Sequence, residues 1–192
     1  HSTDSTTASV QRSTTALSIR FDQGDIMELR IAGTVNDSIV DGPGIRFTVF
    51  TQGCPHGCPG CHNPQTHDFS GGTVTDTDEL LEKIKSNPLL DGVTFSGGEP
   101  FAQAQALAHL GRQIKELGMD VITYTGYTFE QLYADRSQNG WGELLSVTDY
   151  LIDGPFILAQ KSYEVRFRGS KNQRYLDCQA SLKEGRAVEA EI

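Results

Sequence analysis

The sequence predicts an α/β fold, an open partial (βα) barrel of about five to six mostly parallel strands with helices outside. Three observations predict it. Segments with strand and helix patterns alternate along the chain, which favours a parallel sheet covered by helices. Only roughly 165 of the 192 residues follow a polar leading segment, whereas a closed eight-fold barrel needs about 200–250. Glycine-rich turns follow strand after strand, where parallel α/β folds gather their ligands.

The first 26 residues are rich in Ser and Thr and poor in large apolar groups. Such a stretch buries too little surface to offset ordering, so 1–26 is expected to be a flexible tail and 27–192 the folded domain. Leu29 to Val35 and Arg46 to Thr51 read as strands, the second through its Phe47-Thr48-Val49-Phe50 run. Thr75 and Asp78 suggest a capping box, ahead of Leu80, Leu81 and Ile84 on one helical face. Val93-Thr94-Phe95 marks a short buried strand within Gly92 to Ser96. A helix from about Phe101 to Leu117 carries Leu107, Leu110, Ile114 and Leu117, with Gly118 as its stop. Val121 to Tyr124 is the next strand, Phe129 to Ala134 a short helix, Tyr150 to Ile152 another strand, and Arg174 to Asp177 a last, weaker one.

A hydrophobic fraction of 37% permits a true core, and the net charge of −9 argues against general nucleic-acid binding. No run approaches ~18 consecutive apolar residues, and the leading segment lacks the layout of a secretion signal. A cytoplasmic protein is expected. Four cysteines invite a disulfide reading, but three fall within Cys54-Pro55-His56-Gly57-Cys58-Pro59-Gly60-Cys61-His62. One short loop satisfies disulfide geometry poorly, and a cytosol keeps thiols reduced. Cys178 stands alone and reads as a small packed hydrophobe. Three thiolates in a glycine-rich loop can wrap a compact inorganic cluster; on four irons they leave one iron open to a substrate.

Four turns are expected at one sheet edge: the cysteine loop, Ser96-Gly97-Gly98-Glu99-Pro100, Tyr124-Thr125-Gly126-Tyr127 and Asp153-Gly154-Pro155. The Gly97-Gly98 pair exposes backbone carbonyls which, with the Glu99 carboxylate, suit a bound ammonium group. An ordinary turn into a helix opened by Pro100 is the plainer alternative.

Cys54-x3-Cys58-x2-Cys61 resembles the cluster motif of the radical S-adenosylmethionine superfamily, and Ser96 to Pro100 resembles its methionine-binding motif. Asn36 to Arg46 looks like a segment shared by activating enzymes of glycyl-radical proteins. Tyr124 to Tyr127, Val147 to Phe156 and Phe167 to Arg174 look like the activases of anaerobic ribonucleoside-triphosphate reductase. The likeness spans about Glu28 to Asp177. It implies an oxidoreductase in which Cys54, Cys58 and Cys61 hold a [4Fe–4S] cluster whose open iron binds S-adenosyl-L-methionine. Reductive cleavage would give a 5′-deoxyadenosyl radical that takes hydrogen from a glycine of the reductase large subunit, leaving a glycyl radical. A low-potential donor such as flavodoxin or ferredoxin would supply the electron. Gly60, His62, Gly97, Gly98, Glu99 and Thr125 are the candidate cofactor-binding residues. Gly60 departs from the superfamily, which often has an aromatic residue there, so His62 is the candidate for adenine contact.

Arg166, Arg168, Lys171 and Arg174 could meet an acidic partner surface or the cofactor's carboxylate. His67 and His109 receive no role. The alternatives are an activase of another glycyl-radical enzyme such as pyruvate formate-lyase, a short superfamily enzyme that modifies a small heterocycle, and a non-catalytic electron-transfer module. A structural zinc site on the three cysteines with His56 or His62 is the last.

Overall fold

Strand β1 (Glu28–Ser38) forms a hairpin with β2 (Arg46–Thr51), and crossover connections then carry the chain between the parallel strands at the centre of the sheet. The structure is a computed structural model that describes residues 26–191. Of the expected tail only Ile26 falls among them; the rest lies outside the described residues.

Among the described residues, seven strands form one open sheet in the order β3-β1-β2-β4-β5-β6-β7. They include β3 (Thr73–Asp76), β4 (Gly92–Gly97), β5 (Asp120–Tyr124), β6 (Tyr150–Asp153) and β7 (Arg174–Asp177). The pairings of β2 with β4, β4 with β5 and β5 with β6 are parallel, while β1 and β7 run against their neighbours. Five strands therefore point the same way, and the mostly parallel expectation holds. The expected five to six strands become seven because β3 has only Val74 as a large apolar residue; it exists through its pairing with β1.

Among the described residues, five helices accompany the strands: α1 (Thr77–Lys85), α2 (Ala104–Glu116), α3 (Phe129–Ala134), α4 (Trp141–Val147) and α5 (Cys178–Glu184). The seven-residue α4 and α5 are too short for their apolar period to show in sequence. Helix α1 is capped by Asp76 rather than Thr75: its carboxylate accepts the Glu79 N–H at 2.8 Å. Thr75 instead donates its hydroxyl to the Glu79 carboxylate at 2.8 Å. The helix expected from Phe101 opens as a 3-10 turn over Pro100–Gln103 and becomes α-helical at Ala104. Its stop is as expected, with Gly118 at φ +81° after the Leu117 cap.

Alternation along the strands divides the interior in two. Val121, Leu151 and Leu176 join the main core with Leu107, Leu110, Ile114, Leu144 and Leu145 from the helices. Their neighbours Ile122, Ile152 and Tyr175 form a smaller cluster with Tyr124, Tyr150 and Phe167. The second sheet face is thus partly polar. There the fully buried Arg46 donates to Thr94 Oγ1 at 2.7 Å and the Val93 carbonyl at 2.9 Å, and pairs with Asp120 at 2.6 Å. A parallel strand covered by helices on both faces would read as a nearly continuous apolar run; these strands alternate because helices cover one face.

Candidate functional site

The carboxyl ends of β2, β4, β5 and β6 open on one cavity of about 570 Å3. All four expected turns contribute to it. Cys54, Cys58 and Cys61 line it from the loop after β2, Gly97 and Gly98 after β4, Thr125 and Gly126 after β5, and Gly154 after β6. The segment after β6 closes another side with Phe156, Phe167 and Arg168.

The cysteine loop is shaped by backbone bonds. Gly53 N–H donates to the Thr66 carbonyl at 2.7 Å and Cys54 N–H to that of His67 at 3.2 Å. Within the loop, Cys61 N–H reaches the Cys58 carbonyl at 3.2 Å, and Asn63 N–H points at Cys61 Sγ at 3.4 Å. Gly98 N–H donates to the Thr51 carbonyl and Glu99 N–H to that of Gly53, both at 2.8 Å. This contact leaves no room for a side chain: a Cβ on Gly98 would run into the Gly53 carbonyl oxygen, with Thr66 O at 2.9 Å.

Glu99 departs from its expected role. Its carboxylate is fully buried and already takes four donors from the chain. Phe101 N–H lies at 3.0 Å, Gly126 N–H at 2.8 Å, Thr125 Oγ1 at 2.9 Å and His56 Nε2 at 2.6 Å. Glu99 therefore does not line the cavity; it locks the cysteine loop to the turns after β4 and β5. A ligand ammonium would meet the Gly97-Gly98 backbone instead. Gly60 also lies outside the lining. Its φ of +70° is a turn requirement, and a Cβ there would press on Leu158 at 2.8 Å. His62 does line the cavity, with its ring 4.9 Å from that of Phe156.

Several residues without an expected cofactor role also border the cavity. His56, expected only as an alternative zinc ligand, lines it, and its ring lies 4.5 Å from that of Tyr127. His67 lines it as well, with a buried Nε2 that has no partner. Of the basic run, Arg168 alone lines the cavity among the described residues. Arg174 is instead committed to Asp153 at 2.5 Å and Glu130 at 2.7 Å. Spacing from the motif cysteines could have flagged His56; the partners of Arg168 and Arg174 depend on the tertiary fold.

Burial pushes the Cys54 thiol above its ordinary pKa. The His56 backbone N–H opposes this, and the negative charges of Glu99, Cys58 and Cys61 add to it. A positively charged metal centre would reverse the balance by stabilising the thiolates. Among the described residues, no three His, Cys, Asp or Glu side chains converge tightly enough for a single metal ion. A cluster spreads its ligands over several irons and needs no such convergence, so the donor set fits one: three soft thiols around a cavity with a side-chain-free backbone opposite.

Comparisons with known proteins agree with this donor set. The family described as "4Fe-4S single cluster domain" matches residues 40–176. The anaerobic ribonucleoside-triphosphate reductase-activating protein of Vibrio cholerae is 36% identical over 143 residues, covering 70% of this chain and 89% of its own. Its Haemophilus influenzae counterpart is 34% identical over 145 residues, with the same coverages. The pyruvate formate-lyase-activating enzyme of Clostridium pasteurianum is 37% identical over 129 residues, 64% of this chain and 50% of its own.

Proposed function

Because the chain belongs to the 4Fe-4S single cluster domain family and to the family of anaerobic ribonucleoside-triphosphate reductase-activating proteins, we propose that it is a radical S-adenosylmethionine activase that installs a glycyl radical on that reductase. The observation that carries this reading is the convergence of three loop thiols, the Gly97-Gly98 backbone and the Thr125-Gly126 turn on one cavity.

Cys54, Cys58 and Cys61 would hold the cluster. When bound, the cluster supplies the single electron that cleaves S-adenosylmethionine to the 5′-deoxyadenosyl radical, which takes hydrogen from a glycine of the partner's large subunit. The chain's own residues bind and orient. The Gly97 and Gly98 carbonyls accept hydrogen bonds from the cofactor's ammonium group. Arg168 supplies a positive charge for a carboxylate, as a guanidinium suits that geometry. His62 with Phe156 offers an aromatic ledge to adenine. Glu99 keeps these turns in register without touching the cofactor. The cavity stays open on one side, where a partner loop can reach in. A low-potential donor of the flavodoxin or ferredoxin class and a cytoplasmic setting complete the reading. Among the described residues no helix is long and apolar enough to cross a membrane.

The test is anaerobic reconstitution with iron and sulfide, then dithionite and S-adenosylmethionine with the reductase present. Deoxyadenosine and a glycyl-radical EPR doublet on the reductase, both lost in Cys58→Ala, are expected. Deoxyadenosine without the doublet would move the target to another glycyl-radical enzyme. Zinc binding without either product would overturn the reading.

A further inference from the structure

A second cavity, of about 500 Å3, lies behind the site and is lined among others by Met27, Phe101, Gln103, Tyr127, Asn139 and Trp141. Two rings divide it from the cysteine-lined cavity: His56 faces the first and Tyr127 the second. The His56 and Tyr127 rings meet edge to face at 4.5 Å and 74°. Tyr127 continues to Trp141 at 4.9 Å and 46°. The outer two rings are anchored by side-chain hydrogen bonds and Tyr127 is held between them. His56 Nε2 contacts Glu99, the Tyr127 backbone N–H donates to Thr125 Oγ1 at 3.1 Å, and Trp141 Nε1 donates to the Phe101 carbonyl at 3.0 Å. An unbroken aromatic chain thus runs from the middle of the cysteine loop to the lip of a separate cavity.

Resting on the activase reading above, we propose that Tyr127 and Trp141 relay the incoming electron from the second cavity through His56 to the cysteine loop. In the working complex the first cavity holds the cofactor and receives the partner's glycine segment, so a protein-sized donor has no approach there. The second cavity gives the donor a separate approach. Electron tunnelling decays exponentially with distance, and rings in van der Waals contact couple donor and acceptor better than saturated side chains. One electron leaves a reduced low-potential carrier of the flavin or iron–sulfur class, and the oxidised cluster gains it. No bond forms or breaks, no proton moves, and no ring is itself oxidised.

The test places a photoreductant at the lip. Gln105→Cys, an exposed lining residue, is labelled with a ruthenium–bipyridine maleimide after cluster reconstitution, when the loop thiols are ligated and Cys178 is buried. Flash reduction in the presence of a sacrificial donor is followed by bleaching of the cluster's visible absorbance. Tyr127→Leu or Trp141→Leu is expected to slow it roughly tenfold, because the protein's share of cofactor chemistry is orientation and coupling. Tyr127→Phe is expected to keep the native rate, and free dithionite to reduce every variant alike. Unchanged rates in the Leu variants overturn the relay, while cluster uptake and dithionite reduction report separately on the activase reading. Should a Leu variant fail to take up iron, a label at Leu89→Cys, in the turn before β4 at the other end of the sheet, decides. A rate from there equal to that from Gln105→Cys also overturns the proposal.

Discussion

Replacing Glu99 by Ala removes the one acceptor that joins three turns of the site. Four donors lose their partner: the Phe101 and Gly126 backbone N–H groups, Thr125 Oγ1 and His56 Nε2. The Thr125 hydroxyl can rotate toward another acceptor, and His56, 16% exposed, can reach water. The buried Phe101 amide has no such escape, while the Gly126 amide is only partly buried and borders the cavity. A buried donor left unpaired costs about 1–3 kcal/mol, in full for Phe101 and in part for Gly126. A loss of about 2–3 kcal/mol is expected, a sizeable part of the ~5–15 kcal/mol that holds an ordinary domain. Glu99→Gln keeps one acceptor oxygen but turns an NH2 group toward the remaining donors, and is expected to cost about half as much. The assay is urea unfolding of the metal-free protein under reducing conditions, followed by circular dichroism. A loss below about 1 kcal/mol for Glu99→Ala would refute the claim that this carboxylate locks the site.

Three further outcomes follow from the same geometry. Cys58→Ala changes a half-exposed loop residue, so metal-free stability should move by no more than about 0.5 kcal/mol, while iron and labile sulfide after reconstitution fall sharply. Gly98→Ala puts a methyl against the Gly53 and Thr66 carbonyls, costing about 1–3 kcal/mol, and metal analysis should show reduced cluster uptake. Cys178 is the pH probe: burial first, then the Asp149 and Asp177 charges, push its thiol up to about 12. The unfolded chain releases that proton near pH ~8.5, so this contribution to stability is intact below that pH and is lost as pH rises toward 12. Folded metal-free protein at pH 8 should therefore show Ellman's reagent three reactive thiols of its four, with the fourth appearing on denaturation.

The local signals read well where chemistry and chain spacing coincide. Phe47 to Phe50 and Val93 to Phe95 announced strands because β-branched and aromatic residues fit a pleated, half-buried surface. Gly118 announced a helix end because it can take a positive φ. The three cysteines announced a cluster because their ligand chemistry is carried within eight residues of chain. What failed to show depended on distant partners. β3 forms a strand because β1 lies beside it, and α4 and α5 are too short to display a period.

Within the site, residue types and strand order are enough to say which groups could act as metal ligands and which turns would meet at the carboxyl edge of a parallel sheet. Both properties can be read along the chain. What each group is free to do depends on the fold around it. Glu99 and Cys54 lie 45 positions apart in sequence, yet folding turns the carboxylate away from the cavity and saturates it with chain donors. Arg168 faces the cavity while Arg174, from the same basic run, is spent on Asp153 and Glu130. Hydrogen-bond partners are chosen in space, across loops that share no local pattern, so no reading along the chain could assign them.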